Sequence, residues 1–278
     1  MFETFKRISA TKSKDVSAKR ILKAIWRRII DVPQTIAFFL PFGFYKKNRN
    51  KIKTYKDKHK GQRCFIVCNG PSLKYVDFNL LKDEITLGMN RIYMMKEQNG
   101  FEPTYLACVD KNSQILQFHE DLDNLKMPCF FIFNLRKYFS KKENQQFVKL
   151  RFSPRFQTDC SKRLGAGGSV TYTTIQLAFY MGFSEVYIIG KDHSFNTTLA
   201  PGTAIKSDGN DQNHFIKGYY KPGMTWDAPH IDTEDVAYKL SREAFEKAGR
   251  IIKNATEGGK LEVFERVDFN SLFEKNKQ

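Results

Sequence analysis

The chain is short of the groups that mark the common catalytic and metal folds. Its five cysteines (Cys64, Cys68, Cys108, Cys129 and Cys160) form an odd set with no C-x-x-C pair. That argues against a disulfide framework and a zinc site, and a reducing compartment is the simplest account. Cys64 and Cys68 lie in or at the end of an apolar run, where a free thiol acts as a small apolar side chain. The best apolar stretch, residues 32–44, is too short and too interrupted by Pro33, Gln34 and Pro41 to span a bilayer comfortably. No small-residue cleavage site follows it, so a secretory signal is not expected. H-E-x-x-H, G-x-S-x-G, the Gly-Lys-Ser/Thr of a P-loop and the dinucleotide glycine fingerprint are all missing. Their absence weakens metalloprotease, hydrolase and Walker-type readings.

What is present begins with charge. The 278 residues carry a net +16, with 41% hydrophobic and 14% aromatic content, which fits a folded protein. Residues 1–60 hold 17 Lys and Arg against 4 Asp and Glu, a net +13 that leaves only +3 for the other 218 residues. The basicity therefore belongs to an N-terminal extension (1–60) and not to the body (61–278). Within that extension, cations from Lys6 to Arg28 precede an apolar, aromatic stretch, and a second basic run covers residues 46–60. Apolar aromatics flanked by cations describe a helical, interfacial anchor on an anionic membrane surface. The alternatives are a helical hairpin packed on its own domain, or a contact in a homo-oligomer. No nucleic-acid-binding motif accompanies the charge, so nucleic acid is not an expected partner.

From residue 61 strand-like and helix-like segments alternate. Strands are expected over 64–68, 85–88, 104–108, 129–133, 186–189 and 261–264, and helices over 73–81, 90–97, 113–122, 169–181 and 233–248. This alternation predicts an α/β, Rossmann-like fold, a mostly parallel sheet with helices on both faces. Residues 196–229 lack periodicity but contain Phe215, Tyr219, Tyr220 and Trp226, the pattern of a lid-like functional loop.

Candidate site residues cluster at the expected strand ends, where parallel α/β sheets bind ligands. Asn69-Gly70-Pro71-Ser72 stops the first strand in a tight turn with outward-facing backbone N–H groups. Asn90 and Asp110 are polar residues at the next two strand ends, although Asn90 equally suits a helix cap. Gly165-Ala166-Gly167-Gly168-Ser169 leads into an apolar helix, so Gly168 and Ser169 are placed to cradle a phosphate or to allow close helix–sheet packing. Asp192, His193 and Ser194 follow the strand at 186–189, where Asp192 suits an active-site carboxylate or a turn cap. His214 and His230 lie in or just after the irregular segment, and histidine is the usual general base for a hydroxyl nucleophile.

The order of these motifs resembles known families. Asn69-Gly70-Pro71-Ser72-Leu73-Lys74 followed by Met89-Asn90-Arg91, and the strand ending in Gly190-Lys191-Asp192, resemble the bacterial family-42 sialyltransferases. The chain is more similar still to the MptE-like proteins (domain of unknown function 115). The segments that carry this are Gly190-Lys191-Asp192-His193-Ser194-Phe195, Asn213-His214-Phe215 with Tyr219-Tyr220, and residues 254–264. The resemblance covers residues 61–272 and leaves the basic extension aside.

It implies a glycosyltransferase-type Rossmann-like domain using a CMP-activated acidic sugar, with no metal and no other cofactor. By the same resemblance Asn69 and Asn90 hold the nucleotide, Ser169 contacts the donor, and His230, five residues before Asp235-Val236, is the first choice of base. His214 is the second. The sialyltransferases' phosphate-binding tyrosines are replaced after Asp192 by His193 and Ser194, with Tyr219 and Tyr220 as substitutes, and Asp110 stands where they carry Asn. The expected protein is a cytoplasmic enzyme, peripheral on the inner face of the membrane, acting on a glycan or lipid-linked acceptor of surface polysaccharide or lipopolysaccharide assembly. The related family also includes a 6-hydroxymethylpterin diphosphokinase, so the rivals are an Mg-dependent enzyme of that kind, using Asp110, Asp192 and Asp232, and a non-catalytic membrane scaffold.

Overall fold

The structure, a computed structural model, describes residues 18–274. Lys6, Arg7, Lys12 and Lys14 of the basic extension lie outside the described residues. Contacts divide the chain into Met1–Lys46 and Lys47–Gln278. The first unit holds helix α1 (Ala18–Phe39) and the start of α2 (Gly43–Lys53). Residues 47–60, grouped with the extension on charge, are part of the second unit. Ile52 is fully buried there, and backbone N–H groups of Asp57, His59 and Gly61 donate to carbonyls of Tyr180, Met181 and Gly182. Cationic side chains at the surface are no obstacle to burying Ile52 and Tyr55 between them.

The second unit continues with β1 (Arg63–Val67), β2 (Thr86–Met89), α3 (Met95–Asn99), β3 (Tyr105–Cys108), α4 (Leu116–Asp123), β4 (Cys129–Ile132) and β5 (Gln145–Val148). Two short strands follow, β6 (Leu150–Arg151) and β7 (Leu164–Gly165), then α5 (Val170–Tyr180) and β8 (Glu185–Ile189). A ribbon of β9 (Ala204–Lys206) and β10 (Thr225–Asp227) precedes α6 (Ile231–Lys247), β11 (Ile251–Asn254) and β12 (Glu265–Arg266). Eight strands form one sheet in the order β12-β11-β8-β1-β2-β3-β4-β5, and every pairing is parallel. Runs such as Cys64-Phe65-Ile66-Val67 are buried without alternation, as strands covered on both faces require. Helix α5 is buried along almost its whole length and packs against β1, β2, β3 and α6. The fold is thus α/β and Rossmann-like.

Several elements differ from the sequence expectation, among them strands β6, β7, β9, β10 and β11, which it did not include. Residues 73–81 form two 3₁₀ turns, Pro71–Tyr75 and Phe78–Leu81, because Val76 is extended and Asp77 caps the second turn through Asn79 N at 3.0 Å. Residues 261–264 are a connection, with Leu261 and Phe264 buried as its anchors, while strands lie on either side at β11 and β12. Strand β5, with its polar Gln145-Gln146, went unanticipated, since those glutamines broke the apolar run.

β5 ends the sheet, and its free edge is partly closed by one side chain. Asn48 Nδ2 donates to Phe147 O at 2.8 Å, and Phe147 N donates to Asn48 Oδ1 at 2.8 Å. The buried amide thus mimics a neighbouring strand and blunts an edge that would otherwise invite pairing. Asn48→Ala removes both hydrogen bonds and is expected to cost about 2 kcal/mol. Urea unfolding checks this; an unchanged midpoint would show that the edge needs no such cover.

Candidate active site at the strand switch

Strands β2 to β5 lie on one side of β1, and β8, β11 and β12 on the other, so the strand order reverses between β1 and β8. That switch point is where an open parallel sheet leaves a crevice beyond its carboxyl ends. A cavity of about 370 Å³ occupies it, lined by the segments after β1, β2, β3 and β8, the turn before α5, the start of α6 and part of residues 196–229.

The first wall is the turn after β1. Pairing continues past the strands, with Cys68 N donating to Ile189 O at 2.9 Å and Gly70 N to Gly190 O at 2.8 Å. Asp192 then locks the turn, accepting from Ser72 Oγ at 2.8 Å. A Cβ on residue 70 would stand 1.8 Å from Asp192 Oδ2 and 2.6 Å from Gly190 O, so only glycine allows this approach. Asn69 donates from Nδ2 to Met89 O at 3.1 Å, while its buried Oδ1 has no partner and its residue lines the cavity.

The next strand ends repeat that theme. Asn90 adopts a left-handed φ of 50°, and its buried Oδ1 is likewise unpartnered. Asp110 accepts from Ser113 N at 3.0 Å, and burial, reinforced by Asp227, pushes its carboxyl above the usual range. Buried acceptors without donors are costly, which is the signature of a surface built to meet a ligand. Across from them, Ser169 caps α5 by accepting from Thr171 N at 3.1 Å, next to Gly168 at φ 82°. The free N–H groups of that helix start give the cavity one place suited to negative charge.

The end of β8 is tied to α6 by a buried charge pair. Lys191 Nζ lies 2.8 Å from Glu234 Oε2, and His193 Nε2 lies 2.8 Å from Asp235 Oδ1. Burial alone would raise the Glu234 carboxyl, but Lys191 and His193 overcome it and hold it down at about 2. Burial likewise works against the Lys191 ammonium, and Glu234 more than offsets it, so the ammonium stays charged. Ser194 is exposed at the rim.

Residues 196–229 do not hang free. They include the β9–β10 ribbon, and Phe215, Ile216, Met224 and Trp226 pack with Tyr219, Tyr220 and Phe118. Arg91 lies over the Phe118 ring at 3.8 Å and donates to Tyr219 O, which pins this segment to the end of β2. His214 is held on three sides: Nδ1 lies 2.7 Å from Asp211 Oδ2, Tyr219 stacks on it at 4.0 Å, and Tyr220 meets it edge-on at 5.3 Å. Asp211 on Nδ1 favours the tautomer that leaves Nε2 as the acceptor. His230, at the start of α6, is exposed and has no side-chain partner among the described residues.

Of the residues expected from sequence, Asn69, Gly70, Asn90, Asp110, Gly168, Ser169, Asp192, His193, Ser194, His214, Tyr220 and His230 line the cavity. Ser72 and Tyr219 do not: Ser72 is buried behind the turn against Asp192, and Tyr219 is buried behind His214. Burial keeps both tyrosines neutral, raising their phenols well above the ordinary value. Sequence reasoning missed Asp211, although its i,i+3 spacing to His214 was visible. Glu234, Asp227 and the Lys191 pairing gave no local signal.

The Glu234 carboxyl titrates near 4.5 when unpaired and near 2 in the fold, so its stabilisation is complete above pH 4.5 and drains as pH falls toward 2. Glu234→Gln strands Lys191 in a dry site and is expected to cost about 3–5 kcal/mol at pH 7. The same variant should lose less further stability on acidification than the parent. Equal acid slopes in urea titrations would mean the pair is not formed.

The match with known proteins comes from two directions. No curated protein matches the chain in sequence. Among solved structures, a Maf glycosyltransferase from Magnetospirillum magneticum AMB-1 is similar at a TM-score of 0.48 and 17% identity, covering 84% of this chain and 40% of that one. The chain thus spans less than half of that protein's length. The sequence profile of the MptE-like proteins matches residues 43–198, more than half of the chain, from α2 through the turn that follows β8. On that match the chain belongs to the 6-hydroxymethylpterin diphosphokinase MptE-like family.

Proposed function

We propose that the cavity holds a nucleotide-activated donor and that the protein transfers the activated group to a hydroxyl acceptor. The observation that carries this reading is the Asp211–His214 pair bordering the same cavity as the unpartnered Asn69 and Asn90 oxygens. Amide oxygens of that kind suit ribose hydroxyls or the exocyclic amine of a base. In the finer form the donor is a CMP-linked acidic sugar and no metal takes part. His214 Nε2 takes the acceptor's hydroxyl proton, and Asp211 stabilises the imidazolium that results. The acceptor oxygen bonds to the anomeric carbon as the bond from that carbon to the phosphate oxygen breaks. CMP leaves with the electron pair, its phosphate facing the N–H groups at the start of α5. The acceptor in this reading is a glycan or lipid-linked precursor met at the cytoplasmic face of the membrane. His230 is the alternative base; its exposure and lack of an orienting partner favour His214.

A second reading, an Mg-dependent diphosphokinase, draws on one observation. Asp110 and Asp227 both line the cavity, and Asp227 is near enough to raise the Asp110 carboxyl. Magnesium often sits on one or two carboxylates together with substrate phosphates. The wider trio of Asp110, Asp192 and Asp232 does not converge, since Asp192 binds Ser72 and Asp232 is exposed outside the cavity. Among the described residues no three His, Cys, Asp or Glu side chains are grouped to hold a metal.

A thermal-shift comparison of CMP, CDP, UDP, GDP and ATP identifies the nucleotide, and turnover in EDTA separates the readings. CMP-sugar cleavage that survives chelation is the expected result, whereas activity only with Mg-ATP sinks the sugar-transfer reading. His214→Ala is expected to lower kcat by roughly 10²–10⁴-fold, with His230→Ala nearer the parent. The reverse order would move the base to His230.

A further inference from the structure

Helix α1 is built inside out for a protein in water. Projected at about 100° per residue, Leu22, Trp26, Ile29, Val32, Ile36 and Phe39 share an arc of about 140°. Each of these side chains is between 42% and 65% exposed. The opposite arc carries Asp31, Thr35 and Phe38, and there the exposure is lower, with Phe38 fully buried. Asp31 accepts from Thr35 Oγ1 at 3.2 Å, so that face satisfies part of its own polarity. A helix serving a protein core turns its apolar arc inward; this one offers it to the surroundings. Arg28, exposed, borders the arc beside Phe39, whereas Arg27, also exposed, projects from the opposite face.

We infer that α1 lies in the interface of an anionic lipid membrane, its apolar arc among the acyl chains and Arg28 at the headgroups. Three observations select this occupant. No helix among the described residues is long and apolar enough to cross a bilayer, so the arc lies along the surface and does not span it. The +13 of residues 1–60 complements anionic headgroups, whereas it opposes close pairing of two copies of the same segment. Trp26, exposed, stands at the edge of the arc away from Arg28, and indole is a preferred side chain at the water–lipid boundary. At about 1.5 Å per residue the 22-residue helix offers about 33 Å of contact.

The test uses the full chain with vesicles of phosphatidylcholine alone and of phosphatidylcholine with 30% phosphatidylserine, followed by flotation. Binding to the mixed vesicles, weakened by salt and much lower on the neutral ones, is expected. Ile29→Glu with Ile36→Glu should abolish flotation, and Arg27→Glu with Arg28→Glu should weaken it by at least about 10-fold. Brominated lipid should quench the fluorescence of the parent, and Trp26→Phe should remove that quenching while Trp226 remains. Circular dichroism and thermal unfolding of each variant establish that the body still folds. Undiminished flotation of both double variants overturns the inference, as does a parent that ignores the mixed vesicles. A parent dimer in sedimentation that Ile29→Glu dissolves, without vesicle binding, assigns the arc to a second copy instead. None of these readouts depends on the chemistry of the cavity, so the failure of one proposal leaves the other standing.

Discussion

The site depends on how closely the turn after β1 approaches the end of β8. Two strands that diverge in chain order are kept paired beyond their last sheet residues, by Cys68 N to Ile189 O and Gly70 N to Gly190 O. No side chain fits between them at residue 70, and Asp192 uses the freed space to bind Ser72. That contact fixes where Asn69 points, and Asn69 in turn holds Met89 O through its Nδ2, at the end of β2. Its backbone carbonyl accepts from Phe215 N at 3.0 Å, so the same turn also anchors residues 196–229. One close approach therefore positions an unsatisfied acceptor, a neighbouring strand end and the segment that carries His214.

Much of this was legible because parallel sheets write their strands as short apolar runs and their sites as polar residues at the ends of those runs. Residues 64–68 and 186–189 announced themselves in that way, and Asn69, Asn90, Asp110 and Asp192 marked where they stop. The order of strands was not legible, because nothing local says that β8 returns beside β1. Hidden for the same reason was the partnership of Lys191 with Glu234, 43 residues apart. Gln145-Gln146 concealed β5, whose polar side chains are buried at a sheet edge, and Tyr219 looked like a ligand-binding tyrosine but serves as a wall behind His214. In each case tertiary context decided what propensity and composition left open.

The two charged arrangements near the cavity do opposite things. Lys191 and Glu234 cancel each other in a dry site, so they tie β8 to α6 while adding little net field to the cavity. Asp110 is instead half-buried, and desolvation together with its proximity to Asp227 makes ionisation harder. Stability alone would favour an amide at such a position, which would keep the cap to Ser113 without the repulsion. A carboxylate kept there at that cost is suited to work on a bound group, either a hydrogen-bond donor or a cation.

The cavity is accordingly polarised, and that would limit how the proposed nucleotide donor lies in it. The β1–β3 side presents the acceptors Asn69 Oδ1, Asn90 Oδ1 and Asp110, which repel phosphate and welcome N–H and O–H groups. The start of α5 presents backbone N–H groups beside Gly168, which do the reverse. A donor obeying both demands places its nucleoside along the strand ends and its phosphate toward the helix. In the proposed reaction the bond to be broken would lie beyond the phosphate, on the side bordered by residues 196–229 and the start of α6. Both candidate bases come from those two segments, and only His214 arrives with a carboxylate and a stacked ring to hold its orientation. Orientation is what converts a nearby imidazole into an effective base, since a freely rotating ring offers its lone pair to the acceptor only part of the time.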